Sequence, residues 1–176
     1  MVKPRTEMSE LLEITNCRSR KIKIIMAIKP VQTENLTALQ ELCRKFWTKF
    51  NDVSAHNNDF VKEFKLHKIA SIRYYQDYAV GKPYHICIKL NFAKEQASIQ
   101  AYFNNMCVYD EFYNKHRHRI ESMIGSRLAW KEMTTKGYAQ LNLNVTYPIS
   151  DISNWDDVCN EMIAQAILMK SVFAMF

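Results

Sequence analysis

A chain of 176 residues holds three glycines, Gly81, Gly125 and Gly137, so widely separated that neither a GxGxxG dinucleotide turn nor a GxxxxGK[ST] phosphate loop can be written in it. Rossmann dinucleotide enzymes, P-loop NTPases and hydrolases built on a nucleophile elbow are thereby excluded, because each needs glycine where the backbone enters conformations closed to other residues. The length suits one domain, 48% hydrophobic content supplies its core, and 24% charged content with a net charge of +6 excludes wholesale disorder.

That charge is unevenly placed. Residues 1–30 carry seven Lys or Arg against three Glu, whereas the remainder carries seventeen against fifteen Asp or Glu. Arg18, Arg20, Lys21, Lys23 and Lys29 fall within Cys17–Lys29, which contains no acid. Two readings are open: an arm for nucleic acid or another anionic surface, or a solvated extension. The organisation expected is a basic extension over residues 1–30 and a single domain over 31–176, with Pro30 at the boundary.

Thr33–Phe50 reads as the first helix. Leu36, Leu39, Leu42, Cys43, Phe46, Trp47 and Phe50 form one apolar stripe, with Thr33 as N-cap and the polar run Asn51–Asn58 as a loop. A strand over Leu66–Tyr75 and a turn over Ala79–Pro83 follow. Tyr84, Ile86, Ile88, Leu90 and Phe92 alternate with His85, Cys87, Lys89 and Asn91, the pattern of a strand with one wet face. Ala97, Ile99, Ala101 and Phe103 mark a third strand. Asn104 or Asn105 caps a second helix to Ile124, with Val108, Phe112, His116, Ile120 and Met123 on its buried side and Gly125 as a left-handed C-cap. Arg127–Met133 and Tyr138–Tyr147 form a hairpin around Gly137. Asp151 or Ser153 opens the last helix, which buries Trp155, Cys159, Met162, Ala166, Met169 and Phe173.

The order α-β-β-β-α-β-β-α lacks βαβ alternation. It predicts an α+β fold, an antiparallel five-stranded sheet with helices on one face. Phe46, Trp47, Ile88, Leu90, Ile120, Leu143 and Met162 should share one core. The second face, carrying His85, Cys87, Lys89, Asn142 and Asn144, is left with no helix to cover it.

Several landmarks resemble a known family. Leu42–Phe50 (LCRKFWTKF), the alternating Tyr84–Phe92 strand, Ile120–Trp130 (IESMIGSRLAW) and Asp151–Trp155 (DISNW) are similar to the bacterial domain of unknown function 4268 over roughly residues 33–176. Members stand alone or follow predicted PD-(D/E)xK nuclease domains, and the family has no assigned reaction. The resemblance implies the fold and a setting near nucleases, and assigns no residue a role.

Candidate chemistry is sparse. A PD-(D/E)xK site needs an Asp and an acid-x-Lys on neighbouring strands to hold a divalent ion. Asp77 with Cys87-Ile88-Lys89 puts a thiol where the second acid belongs. Asp59 with Glu63-Phe64-Lys65 spells the motif in a polar loop or helix. His116 and His118 stand two apart on a helix and point to different sides, so a shared ion is disfavoured. Arg117, His118 and Arg119 read as a solvated face or an anion patch. Cys87 is the one cysteine with His85 and Lys89 as strand-face company, yet catalysis requires a low-pKa thiolate. The cysteines, five at irregular spacing, form no CxxC pair. No apolar run approaches a membrane span and no leader is visible, so a cytoplasmic protein with reduced thiols is expected. No metal or other cofactor is expected.

The function expected is that of a non-enzymatic cytoplasmic protein-interaction module, self-associating as a homodimer or docking another protein. Arg73, Tyr74, Tyr75, Tyr78 and Lys82 around the first hairpin are its candidate surface, together with His118 and the apolar tail ending at Phe176. The alternative is a nucleic-acid-associated accessory of a bacterial defence or restriction nuclease, binding through the basic arm. A metal-dependent nuclease of the PD-(D/E)xK type is the least unlikely enzyme.

Overall fold

The computed structural model describes residues 36–81, 83–133 and 137–176. The basic extension, with Arg18, Arg20, Lys21, Lys23 and Lys29, and the hairpin residue Lys82 lie outside the described residues. Helix α1 spans Ala38–Ala55. Its N-cap is Thr37 and not Thr33: the Thr37 hydroxyl accepts from the Gln40 N–H, and the Gln40 side chain accepts from the Thr37 N–H at 2.8 Å. This reciprocal box satisfies two donors that a helix start leaves bare. The helix also outruns the expected loop, because Ser54 donates its hydroxyl back to the Asn51 carbonyl and is buried there. Asn57 then caps α2 (Asn58–Glu63), which carries Phe60 into the core.

Strand β1 is Tyr75–Ala79, later than the expected Leu66–Tyr75. The intervening chain crosses α1, where the Trp47 indole donates to the Arg73 carbonyl at 2.7 Å and takes that acceptor out of any ladder. Strands β2 (Tyr84–Asn91) and β3 (Gln96–Phe103) are joined by a 3-10 turn at Phe92–Lys94. Strands β4 (Ala129–Met133) and β5 (Tyr138–Thr146) complete a fully antiparallel sheet of order β1-β2-β3-β5-β4. The expected α+β fold and element order are present.

The second helix is not one regular helix. It comprises α3 (Met106–Glu111), a π-turn at Phe112–His116 and α4 (Arg117–Ile124). The wide turn keeps Tyr109, Phe112, Ile120 and Ile124 all buried on one side, where Tyr109 takes the place expected of Val108. Gly125 closes α4 at φ 72°, the left-handed cap foreseen for it. A 3-10 turn at Ile152–Asn154, capped by Asp151, leads into α5 (Trp155–Phe173).

Register assigns the faces. Ile88, Ile99 and Leu143 form one cross-strand row, and Ile86, Ala101, Leu141 and Trp130 the next. These rows meet Phe46, Trp47, Phe50, Ile120, Met162 and Ile163 in one core, so all the described helices pack on a single side. All seven expected core residues are in it. Among the described residues no helix is long and apolar enough to cross a membrane.

Candidate binding face

Strand side chains alternate between faces, so the residues between the core rows form a second, outward set. Three cross-strand rows result. The first runs Tyr75, Lys89, Ser98 and Asn144, the second Asp77, Cys87, Gln100, Asn142 and Ala129, and the third Ala79, His85, Tyr102, Gln140 and Lys131. None of the described residues in these rows is Val, Leu or Ile, and none of them belongs to the hydrophobic core.

Two shallow cavities share this face. One, of about 340 Å³, is walled by Tyr74, Tyr75, Asp77, His85, Lys89 and Tyr102 over a floor of Cys87 and Gln100. Its neighbour, of about 220 Å³, lies between Lys89, Lys94 and Lys131 over Ser98, Gln100 and Asn142. Lys89 and Gln100 line both, which makes them parts of one groove running from β1 to β4. Three lysines face one carboxylate, Asp77.

The floor is closed although no described helix covers it. Gln100 donates to the Ser98 hydroxyl at 3.1 Å, and both are buried. Asn142 is 4% exposed, and its Oδ1 has no hydrogen-bond partner within the protein. Buried carbonyl oxygens are rarely left unpaired, so Asn142 presents an acceptor to whatever enters the groove. Aromatic rings stand at both ends. Tyr102 stacks on His85 at 5.2 Å and meets Tyr138 at 4.9 Å. At the other end the Lys89 ammonium lies 5.4 Å over the exposed Tyr74 ring, and Arg73 donates to the Tyr75 hydroxyl at 2.9 Å.

The arrangement does not activate a nucleophile. Burial first, and then the Asp77 charge, push the Cys87 thiol well above the ordinary thiol range. A protonated thiol attacks poorly. His85 stands 3.6 Å from Asp77 Oδ1 and is engaged by Tyr102. Asp77 does lie opposite Cys87, with Lys89 on the same face, so the chain realises the geometry of the nuclease motif with sulfur at the second acid. Asp59 and Glu63 are instead spent on ion pairs with Lys62 and Lys170 at 3.3 and 2.9 Å.

The expected surface residues separate. Arg73, Tyr74 and Tyr75 gather at the start of β1 beside the groove. Tyr78 does not belong with them: it is buried in the core, and its hydroxyl donates to Gln76 at 2.8 Å. Its even position in β1 turns it toward the helices. His118 and Phe176 belong to the helical layer. Phe176 folds back on its own chain, 4.6 Å from the His116 ring and under the Arg119 guanidinium, so the apolar tail docks on its own helices. Reading from sequence overlooked Ser98, Gln100, Tyr102 and Lys131. Their signal was the polar half of the Gln96–Phe103 alternation, Gln96, Ser98, Gln100 and Tyr102 against Ala97, Ile99, Ala101 and Phe103.

Residues 42–176 match the family described as Domain of unknown function (DUF4268), and the chain belongs to that family. No curated protein and no solved structure matches it.

Proposed function

We propose that this member of the family is a non-enzymatic module that works by contact with a macromolecular partner across the open face of its sheet. The observation that supports the reading is the groove itself: a five-stranded surface of amides, tyrosines and lysines, with a floor already buried and an acceptor at Asn142 unmet. Catalysis at this surface would need Cys87 as thiolate, and its surroundings hold the proton on.

A second copy of the chain is the other occupant to weigh, as expected from sequence. The groove's lysines repel an identical groove. The place suited to a second copy is the apolar depression of about 360 Å³ beside the exposed Leu39 and Tyr74, floored by Leu90 and Phe92.

Two measurements test the reading. Iodoacetamide labelling, read cysteine by cysteine, should modify the exposed Cys107 quickly and Cys87 slowly; rapid alkylation of Cys87 would mean an activated thiol and sink the non-catalytic reading. The double variant Lys89→Ala/Lys131→Ala should then lose contact with a macromolecule that the whole chain binds. The panel is the chain itself by sedimentation, single-stranded and duplex nucleic acid, and an acidic polysaccharide. If none engages the whole chain, or if the variant binds each one unchanged, the open face is not the working surface.

A further inference from the structure

Resting on that reading, we infer that the occupant of the groove is a single-stranded nucleic acid. The argument begins with what the face lacks. Protein partners gain most of their affinity from apolar or aromatic anchors seated in desolvated pockets. Among the described residues the three outward rows contain no branched aliphatic side chain, and the groove's floor is Ser98, Gln100 and Asn142. A partner fitted to such a floor makes hydrogen bonds rather than hydrophobic contacts.

The polar groups then define its chemistry. Lys89, Lys94 and Lys131 surround the floor with a single opposing carboxylate, which calls for repeated negative charge. The unpartnered Oδ1 of Asn142, buried among them, calls for a donor within the same ligand, such as an exocyclic amine or a hydroxyl. Tyr74 and Tyr75 at one end, and Tyr102 and Tyr138 at the other, offer flat apolar surface four residues apart along the strands, or about 13 Å. Anionic backbone, donor-bearing edges and flat rings coexist in a nucleic-acid strand. The bases must be unpaired, since a duplex hides their faces and most of their edges from a sheet. The basic segment holding Arg18, Arg20, Lys21, Lys23 and Lys29 has the same sign as the groove and suits the same ligand.

Fluorescence anisotropy with a labelled mixed-sequence RNA or DNA strand tests this on the full chain. Three constructs are compared with wild type: Lys89→Ala/Lys131→Ala on the face, Arg18→Ala/Arg20→Ala/Lys21→Ala/Lys23→Ala on the segment, and Tyr102→Ala. If Lys89→Ala/Lys131→Ala melts early, Lys94→Ala/Lys131→Ala, at two fully exposed positions, replaces it. Expected is single-strand binding by the segment variant as well as by wild type. The face lysines should contribute a slope of log affinity on log salt of about −2, at about −0.7 per contact. The face variant should lose most of that slope, and Tyr102→Ala should weaken binding at least about fivefold. Binding that vanishes only in the segment variant, or a duplex held as tightly as the strand, overturns the inference. So does a face variant that loses self-association or polysaccharide binding while single strands never bind, although that result leaves the contact-module reading standing.

Discussion

The Glu121 carboxylate accepts the indole N–H of Trp130 at 3.1 Å and, through the same oxygen, the backbone N–H of Leu128 at 3.2 Å. One side chain on α4 thereby sets where β4 begins. Burial opposes its charge, but the Leu128 N–H, the Trp130 indole and Arg117 together outweigh burial and hold the carboxyl below its ordinary range. A carboxyl lowered on folding stabilises the protein above its unfolded value of about 4.5 and loses that contribution as pH falls through the folded one. Glu121→Leu should cost about 1–3 kcal/mol by stranding two donors, and should flatten the acid limb of stability. Urea unfolding at neutral and mildly acidic pH checks both; an unchanged acid limb would show that Glu121 does not titrate on folding.

Alkali should weaken the fold for the opposite reason. Burial pushes the Cys159 thiol from 9.0 up to about 12, and the Tyr84 phenol from 10.0 up to about 12. Each proton is held more tightly in the folded chain than in the unfolded one. The stability linked to these groups is therefore complete below about pH 9 and declines as pH rises from there toward 12. Melting followed between about pH 8 and 11 should show the decline, and Cys159→Ala should make it shallower even though the variant starts less stable.

Tyr78 and Gln76 form a buried pair on the core side of β1, with the phenol donating at 2.8 Å and the Gln76 Nε2 left without a partner. Tyr78→Phe should cost about 1–3 kcal/mol, because it leaves a second amide atom unmet. Adding Gln76→Met should recover much of that loss, since two apolar groups have nothing left to satisfy. A double variant less stable than Tyr78→Phe would show that Gln76 has a partner besides Tyr78.

Trp47→Ala should be the most damaging single change considered, at about 3–5 kcal/mol. The ring is fully buried, edge-on to Phe46 and Phe50 at 5.4 and 5.5 Å, and its N–H holds the crossing chain at Arg73. Denaturant unfolding measures the loss. A cost below about 1.5 kcal/mol would mean that the neighbouring rings collapse into the space.

Much of the architecture was legible because hydrophobic period is a local property. The alternation of Tyr84–Phe92 and of the residues around Leu143 placed Ile88 and Leu143 on one face, and pairing through Ile99 does so. The Gly125 cap was legible for the same reason. What failed to show was set by distant contacts. Thr33 and Thr37 are equal as residues, and only the Gln40 box distinguishes them. The start of β1 depends on a hydrogen bond from Trp47, 26 residues earlier. Tyr78 was grouped with Tyr74 and Tyr75 by proximity in sequence, when strand parity sends it to the other side. The groove itself is assembled from rows that cross four or five strands, so its floor could be read only in fragments, as Cys87, Lys89, Asn142 and Asn144 were.

The π-turn at Phe112–His116 also sets a rule for how this chain can change length. A helix advances by about 100° per residue, so deleting one residue there would restore a regular spiral and turn everything beyond it by that angle. Ile120 and Ile124 would swing out of the core, and Glu121 would turn away from Leu128 and Trp130. The extra residue works as a phase adjustment between the half of the helix that follows β3 and the half that delivers β4. Variants of this chain should therefore gain or lose residues at the surface turns, whereas the count between Asn105 and Gly125 stays constant.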